Sequence, residues 1–564
     1  MRIHKKSVSK TINVVTIIAI AIFFTVLFLH PVLKNFSTHL TSRADGVFIS
    51  WTIYTVSTFL AQGKDIFQIP LYAPFENTLT YSDPFISTAL LNIPLLFFTK
   101  NSVLMQNFHL LTGTIILYLS CYFLGKQLKF SNLASHFTAF FFTFSSIQMS
   151  YVVHLHTYLI AGLPLTFLFL LKWFESSKWQ WLFLTVGAFL YQILNSVMNG
   201  FFIVFALLPF LLQKNMLEHI KKNWVLVCYY SIFTLILLGI FFTPYFMTSQ
   251  QFGYTRTIRD AAHFAFSLDR LFQIDLLFDF ILLFLLWKTR IKTADKLEKK
   301  QGSQFTIPTQ KIALIIALVG IVLMLGPVLK MDDETVKVIS FPIPLPYALF
   351  YYIIPGFKAF RASSRWIVLL NFGLALLFGY YANNSRLKPK FLYFSFGILL
   401  GSQLLFHFSK FEMYKIPTNI PEIYKVVKKQ DQENLKEVTL AEFPVFSWRM
   451  MPYAYLENDR LMYQAYHEKT LYNGVSGFTP PEREAQWDLL WQEFPNESSY
   501  ALLKTAGVDL ILIHYDLYDD MNQSNFAYNS YRSPSSNELN GKIHKNKNFQ
   551  LIDCKQGKCL YKLK

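Results

Sequence analysis

Two acidic residues in one long polar segment are the first candidates for chemistry. Asp45 follows Arg43 and precedes Gly46, and Asp83 lies two residues after Tyr81. A carboxylate held in place can accept a proton from an attacking hydroxyl, so either acid could act as a general base. Because helical patterns follow both positions directly, the alternative is that both residues are helix caps.

Two histidines, His154 and His156, form a second candidate group. If the segment is extended, both rings could contact one metal ion, but no acidic residue lies near them in the sequence. A second functional role would be hydrogen bonding to a phosphate or a sugar. The alternative is an ordinary solvated pair at a helix junction.

Four arginines form a third group: Arg256, Arg259, Arg361 and Arg365. A guanidinium makes bidentate contacts with phosphate, so a phosphate-bearing ligand would explain why they stand at the ends of apolar segments. The alternatives are binding of lipid headgroups and pairing with nearby aspartates.

The composition shows which solvent these groups meet. Of 564 residues, 58 are Phe, aromatic residues make up 18% and charged residues only 15%, against about 25% charged in soluble proteins. Charge is costly in hydrocarbon, so its scarcity indicates a membrane protein. The net charge of +17 lies in short loops between apolar segments, a pattern that argues against a nucleic-acid partner.

Eleven apolar segments are near the length needed to cross about 30 Å of hydrocarbon as helices. They lie at 12–33, 102–124, 132–151, 157–173, 179–195, 199–213, 224–244, 271–288, 311–329, 363–382 and 391–409. The two segments that meet between Asn195 and Gly200 are short and also fit a re-entrant loop. The sequence predicts an α-helical polytopic domain of roughly eleven spans over residues 1–411.

The loop charges predict the orientation of this domain. If the N-terminus is cytoplasmic, five later loops face the same side, and all five are basic, as the positive-inside rule requires. Their basic residues are Lys126 and Lys129; Lys172 and Lys178; Lys214, Lys221 and Lys222; Lys288, Arg290, Lys292, Lys296, Lys299 and Lys300; and Arg386, Lys388 and Lys390. An odd number of spans then places the C-terminus outside a cell membrane.

The predicted outer segments carry the candidate residues. In the long first loop, 34–101, the spacing of 47–60 predicts an amphipathic helix at the membrane surface, and 85–98 resembles a second one. From residue 412 to 564 the composition turns polar. There, 437–443, 508–514 and 549–553 predict strands, and 500–506 predicts a helix that ends at Gly507. These elements indicate a small α/β extracytoplasmic domain.

Two of the four cysteines are close enough to join within that domain. Cys554 and Cys559 could clip a short hairpin in an oxidising compartment, or they could be free thiols. Cys121 and Cys228 lie in apolar segments. The spacing of the first pair does not predict a zinc site, because no second pair of ligands follows.

Together these elements resemble the multispanning bacterial and archaeal membrane proteins of the GT-C glycosyltransferase class. The elements that carry the resemblance are Asp45-Gly46, residues 81–83, His154-Leu-His156, and residues 355–365, 472–480 and 502–514. The resemblance extends over nearly the whole chain, through the order and spacing of these elements. The family element at Asp83 more often carries Glu.

The resemblance implies a transferase that takes a sugar from a polyprenyl-phosphate donor on the extracytoplasmic face and moves it to a glycan, lipid or protein. It implies that Asp45 is the catalytic base or orients the acceptor, with Asp83 as a second acid. His154, His156 and the four arginines would bind the substrate. A divalent metal is compatible with such a site, although the sequence contains no dedicated metal ligands. The alternatives are a transporter or lipid flippase, and a non-catalytic membrane assembly protein.

Overall fold

The computed structural model describes residues 2–253, 256–291, 309–408, 412–417, 419–430, 437–529 and 531–564. By their internal contacts the residues form two compact units. The first comprises Met1–Lys34, Asn107–Phe242 and Tyr254–Glu412, and the second comprises Asn35–Gln106, Thr243–Gly253 and Met413–Lys564. The predicted first outer loop thus groups with the C-terminal segment. The predicted boundary at residue 412 separates a membrane domain from an extracytoplasmic domain, and it stays a prediction.

Each of the eleven apolar segments contains a helix. These helices are Arg2–Lys34, Ser102–Gln127, Asn132–Phe144, Gly162–Ser176, Trp179–Asn195, Val197–Leu211, Trp224–Phe252, Ile274–Lys288, Thr309–Met324, Ile367–Asn383 and Pro389–Phe408. Shorter helices connect them, among them Ser146–Met149, Leu155–Tyr158, Lys214–Lys222, Ile258–His263 and Pro346–Ile353. The basic residues Lys292, Lys296, Lys299 and Lys300 of the fourth predicted cytoplasmic loop lie outside the described residues.

The number of helices able to span a membrane is smaller than predicted. Within the described ranges, six helices are long and apolar enough, or seven if the bent pair Val197–Leu211 and Lys214–Lys222 counts as one span. The reason is length, because a helix of 15 residues such as Ile274–Lys288 extends only about 22 Å. Ser196 alone separates the helix Trp179–Asn195 from the helix Val197–Leu211. This junction lies where the sequence predicts two short apolar segments. The polytopic helical class with a small sheet domain is confirmed.

The second unit contains the predicted α/β elements. Its strands are β1 (Thr439–Phe443), β2 (Thr470–Leu471), β3 (Leu510–His514), β4 (Phe549–Lys555) and β5 (Lys558–Leu563). They form one sheet in the order β4-β5-β3-β1-β2, in which β1 runs parallel to β2 and β3. Its helices are Asp45–Gln62, Ile86–Asn92, Glu422–Lys428, Tyr455–His467, Pro481–Glu493, Glu497–Thr505, Tyr515–Gln523 and Ser536–Lys545.

Two local features of this unit match the sequence. Gly507 follows the helix Glu497–Thr505 with a φ of +71°, a conformation that glycine adopts without steric cost. Cys554 and Cys559 are opposite each other in the β4–β5 hairpin and form a disulfide, so the bonded alternative is the one found. The three predicted strands and the predicted helix are all present.

A buried ionic cluster lies at the carboxyl ends of the parallel strands. The Glu442 carboxylate, on β1, accepts a hydrogen bond of 2.7 Å from the Tyr424 hydroxyl and lies 2.8 Å from His514 Nε2. Arg460 Nε is 3.5 Å from the same oxygen, and Arg460 Nη1 donates to Glu457 Oε1 at 2.5 Å. Two acids therefore share one arginine inside the domain.

Protonation of Glu457 would relieve that imbalance, which leads to a prediction on stability. Burial raises the pKa of Glu457 from 4.5 to about 7, and the Arg460 charge offsets only part of that effect. Between about pH 4.5 and pH 7 the folded chain then holds a proton that the unfolded chain releases, so stability falls as the pH rises. Glu457→Gln is expected to remove roughly 3 kcal/mol of this dependence.

The measurement is unfolding of the purified chain in detergent, followed by tryptophan fluorescence across that pH range. Trp487 and Trp491 report from the same domain. The control Glu497→Gln changes an exposed acid and should keep the wild-type slope. An unchanged slope in Glu457→Gln would contradict the assignment.

Candidate functional site

Asp45 is the first residue of a helix that is buried along most of its length. The helix Asp45–Gln62 has Ala44 as its N-cap, so the predicted cap role of Asp45 is not the one found. Asp45 lies instead in the first turn, where the positive end of the helix dipole favours a carboxylate. Residues Val47, Trp51 and Ile53 are among ten buried residues of this helix, and its predicted position at the membrane surface stays a prediction.

Asp83 lies between two short helical elements and is half-buried. The N-cap of the following helix is Phe85, so Asp83 does not cap it either. The preceding residues pack against a second element of the resemblance: the Tyr81 and Phe478 ring centroids are 5.6 Å apart. At Gly477 an added Cβ would come within 3.1 Å of the Tyr81 carbonyl oxygen, so a larger residue would require a shift of a few tenths of an ångström. The two sequence elements therefore form one structural feature of the second unit.

The histidines lie on short helical turns of the first unit. His154 follows the turn Ser150–Val153 as its C-cap. The ring centroids of His154 and His156 are 5.8 Å apart. His156 is buried, and its carbonyl oxygen accepts a hydrogen bond of 2.6 Å from Asn199 Nδ2. The segment is thus not the extended one on which the metal alternative was based. Across the described parts of the chain, no group of three or more His, Cys, Asp or Glu side chains could hold a metal ion.

Arg365 belongs to the same neighbourhood as His154. The positive charge of Arg365 acts on the Tyr151 hydroxyl, and the Tyr151 and His154 rings are 6.4 Å apart. Sequence reasoning missed Tyr151, although its position three residues before His154 could have suggested it. The cluster combines a cation, a phenol and an imidazole, all of which can donate hydrogen bonds to a phosphate.

Arg256 and Arg361 share an acidic neighbour, Asp260. Burial alone would raise the pKa of Asp260, but hydrogen bonds from Thr257 and the charges of Arg256 and Arg361 together hold it below its ordinary value. The Arg361 guanidinium also lies 4.9 Å from the centre of the Phe264 ring. The charges of both arginines therefore interact with a local aspartate, which is one of the alternatives for these arginines.

Backbone hydrogen bonds join the segments that carry these arginines. The Arg256 N–H donates to the Lys358 carbonyl at 2.9 Å, and the Ser364 N–H donates to the Phe264 carbonyl at 3.2 Å. The Tyr351 hydroxyl donates to the Arg256 carbonyl at 2.5 Å. Residues 256–264 and 358–364 thus form one structural feature, with Arg259 exposed on it.

The comparisons with known proteins bear on the fold. A scan of family models and a search of the curated proteins find no match. Arabinofuranosyltransferase AftD from Mycobacteria aligns with 97% of this chain at 11% identity and a TM-score of 0.60, and the chain spans 41% of that protein. The Archaeoglobus fulgidus oligosaccharyltransferase in its apo form aligns with 90% of this chain and 70% of its own, at 11% identity and a TM-score of 0.48. The chain has a GT-C-like fold and is a membrane protein.

The position of Asp260 separates the two explanations of the arginines. If Arg256 and Arg361 take a phosphate, Asp260 competes with it, and Asp260→Asn should tighten binding of inorganic phosphate or polyprenyl phosphate about five-fold, as expected for about 1 kcal/mol per exposed charge pair. The asparagine keeps an oxygen that can accept from Thr257. Calorimetric titration of the purified chain measures the change.

The control is Asp269→Asn, because Asp269 neighbours Arg270 instead. It should leave phosphate affinity unchanged. If Asp260→Asn also leaves it unchanged, these arginines serve only their local acid.

Proposed function

We propose that this chain is a membrane glycosyltransferase that moves a sugar from a polyprenyl-phosphate donor to an acceptor on the extracytoplasmic face. The observation that carries the proposal is the GT-C-like fold along 97% of the chain, with an acid at the start of a buried helix in the first long loop. The acceptor is a glycan, a lipid or a protein. Similarity of fold alone does not establish a reaction, so the proposed reaction depends on the residues of the site.

The proposed chemistry assigns a proton and a leaving group to different residues. Asp45 takes the proton of the acceptor hydroxyl, while the oxygen of that hydroxyl forms a bond to the anomeric carbon of the sugar. The bond between that carbon and the donor phosphate breaks, and the phosphate leaves with the electron pair. Asp83 serves as the second acid, which orients the acceptor.

The arginines and histidines would stabilise the leaving phosphate. Arg361 and Arg365, with Arg256 and Arg259, supply positive charge, which favours the developing phosphate anion. His154 and His156 would donate hydrogen bonds to the phosphate or the sugar. The two proposed acids belong to the second compact unit, and the proposed phosphate-binding residues belong to the first. The role of each group is a separate proposal.

The disulfide supports an extracytoplasmic C-terminal domain. Cys554 and Cys559 are bonded, and disulfides persist in oxidising compartments. If the eleven helices are the eleven predicted spans, the positive-inside pattern of the loops leads to the same orientation. We therefore propose that the N-terminus is cytoplasmic and that residues 412–564 lie outside the cell membrane.

The first test removes the proposed base. Asp45→Asn keeps the shape of the side chain but removes its basicity, so transfer should fall by about 10²- to 10⁴-fold. The assay uses the full chain in proteoliposomes with radiolabelled polyprenyl-phosphate sugars and membrane-derived acceptors, with and without Mg²⁺. Asp65→Asn, another acid of the same loop that accepts from the Phe67 N–H, should retain wild-type activity.

Full activity of Asp45→Asn would remove the assigned base. If the wild-type chain transfers no sugar from any lipid-linked donor, the proposed reaction is wrong. Movement of labelled lipid across the bilayer without loss of its sugar would favour the transporter instead.

The second test concerns the donor phosphate. Losing a charged hydrogen bond costs about 1.5–3 kcal/mol, so Arg361→Gln and Arg365→Gln should each raise KM for the donor roughly ten-fold or more. Arg386→Gln, an exposed arginine of a predicted cytoplasmic loop, is the matched control. If the arginines bind only bulk lipid headgroups, steady-state kinetics will show the same donor KM in all three variants.

A further inference from the structure

The chain leading into Asp45 is held in place within the second unit. His39 and Leu40 pair in antiparallel register with Lys415 and Tyr414. Leu40 and Val47 belong to one buried apolar cluster, against which Met462 packs. The backbone on both sides of Asp45 is therefore anchored to residues more than 360 positions away in the sequence.

A charged contact is made two residues before Asp45. Arg43 Nη2 donates to Asp459 Oδ2 at 3.0 Å, and the Arg43 guanidinium also lies 5.8 Å from the centre of the Tyr455 ring. The Asp459 side chain is only 10% exposed, whereas Arg43 is 46% exposed. The partly buried acid thus fixes an arginine that stands two residues before Asp45.

A second contact holds the helix that begins at Asp45. Trp51 Nε1 donates to Gln464 Oε1 at 2.7 Å, and both side chains are buried. Tyr455, Asp459 and Gln464 all lie on the helix Tyr455–His467. The helix Tyr455–His467 therefore contacts the chain just before the Asp45 helix, at Arg43, and the Asp45 helix itself about two turns in, at Trp51.

The helix Tyr455–His467 is itself fixed to the sheet. Arg460, next to Asp459, is the arginine of the buried cluster with Glu442 and Glu457, and its Nη2 donates to the Pro444 carbonyl at 2.9 Å. Glu457 Oε1 also accepts from the Phe446 N–H at 3.1 Å. Neighbouring residues of one helix thus bind the sheet and the entry to the Asp45 helix.

We infer that Asp459 is a positioning residue, which fixes Asp45 through its ion pair with Arg43. The inference rests on the proposed function for its catalytic consequence. Asp459 does not contact the substrate in the proposed reaction. Its effect passes through Arg43 to the first turn of the Asp45 helix, where an error of about 1 Å in a catalytic group can cost about 100-fold in rate.

Two readouts test this in the full chain in proteoliposomes. Hydrogen exchange, followed by mass spectrometry, should become faster in the amides of residues 43–50 in Asp459→Asn and Arg43→Gln. In the transfer assay, kcat should fall about ten- to a hundred-fold with little change in KM for the donor. Arg43→Lys keeps the charge and should restore part of the rate.

A double-mutant cycle separates positioning from general stability. If the two residues act as one pair, Arg43→Gln with Asp459→Asn should cost no more than either change alone. The matched control is the ion pair of Arg449 with Glu484, 2.8 Å apart in the same unit, whose disruption should alter neither readout. Thermal unfolding of every variant shows whether lost rate merely follows lost folded protein, which would overturn the inference.

The outcomes distinguish the inference from the proposed function. Unchanged exchange in residues 43–50 overturns the positioning role, whatever the activity. Faster exchange in a chain that transfers no sugar supports the positioning role and contradicts the proposed reaction. Faster exchange with an unchanged kcat overturns the catalytic consequence of Asp459.

Discussion

Arg460 is buried with Glu442 and Glu457, and the second unit depends on this arrangement. Removing one partner of a buried ion pair costs about 3–5 kcal/mol, because the remaining charge stays in a medium of low dielectric constant. Further hydrogen bonds hold each member in one geometry: Tyr424 donates to Glu442, and Arg460 donates to the Pro444 carbonyl. Such a cluster admits few alternative packings, so the position of the helix Tyr455–His467 is well defined.

That rigidity is useful at the other contacts of the same helix. The base that we propose is effective only if its oxygen stays within hydrogen-bond reach of the hydroxyl that it would deprotonate. Loops alone hold such a group less well than packed helices. Trp51 and Arg43 connect the Asp45 helix to residues whose own positions the buried cluster fixes. The polar interior of the C-terminal domain therefore contributes to order in the first loop.

The sequence predicted the features that depend on local pattern. Apolar length predicted the eleven helices, segments rich in strand-forming residues predicted the strands β1, β3 and β4, and Gly507 marked a helix end. The pattern did not reveal that polar residues of the Asp45 helix are buried. Thr52 donates to the Phe48 carbonyl at 2.8 Å and Thr58 to the Tyr54 carbonyl at 2.9 Å. These internal hydrogen bonds satisfy polar atoms without water, so a helix with polar residues can be buried.

Contacts between distant residues could not be predicted. Arg43 and Asp459 are 416 positions apart, and no periodicity connects them. The link between Arg256 and Lys358 depends on how loop ends meet after the helices have packed.

Asp260 affects the electrostatics of two arginines, Arg256 and Arg361. Two like charges such as Arg256 and Arg361 repel each other, and a nearby carboxylate reduces that cost. The carboxylate is held by its own hydrogen bonds to Thr257, so it need not move when a phosphate approaches. In the proposed function, a fixed acid would lower phosphate affinity without abolishing it, because a phosphate group has more oxygens and more charge to offer each guanidinium. If the chain catalyses the proposed transfer, moderate affinity would help it to release the phosphate product, since product release limits the rate of many enzymes.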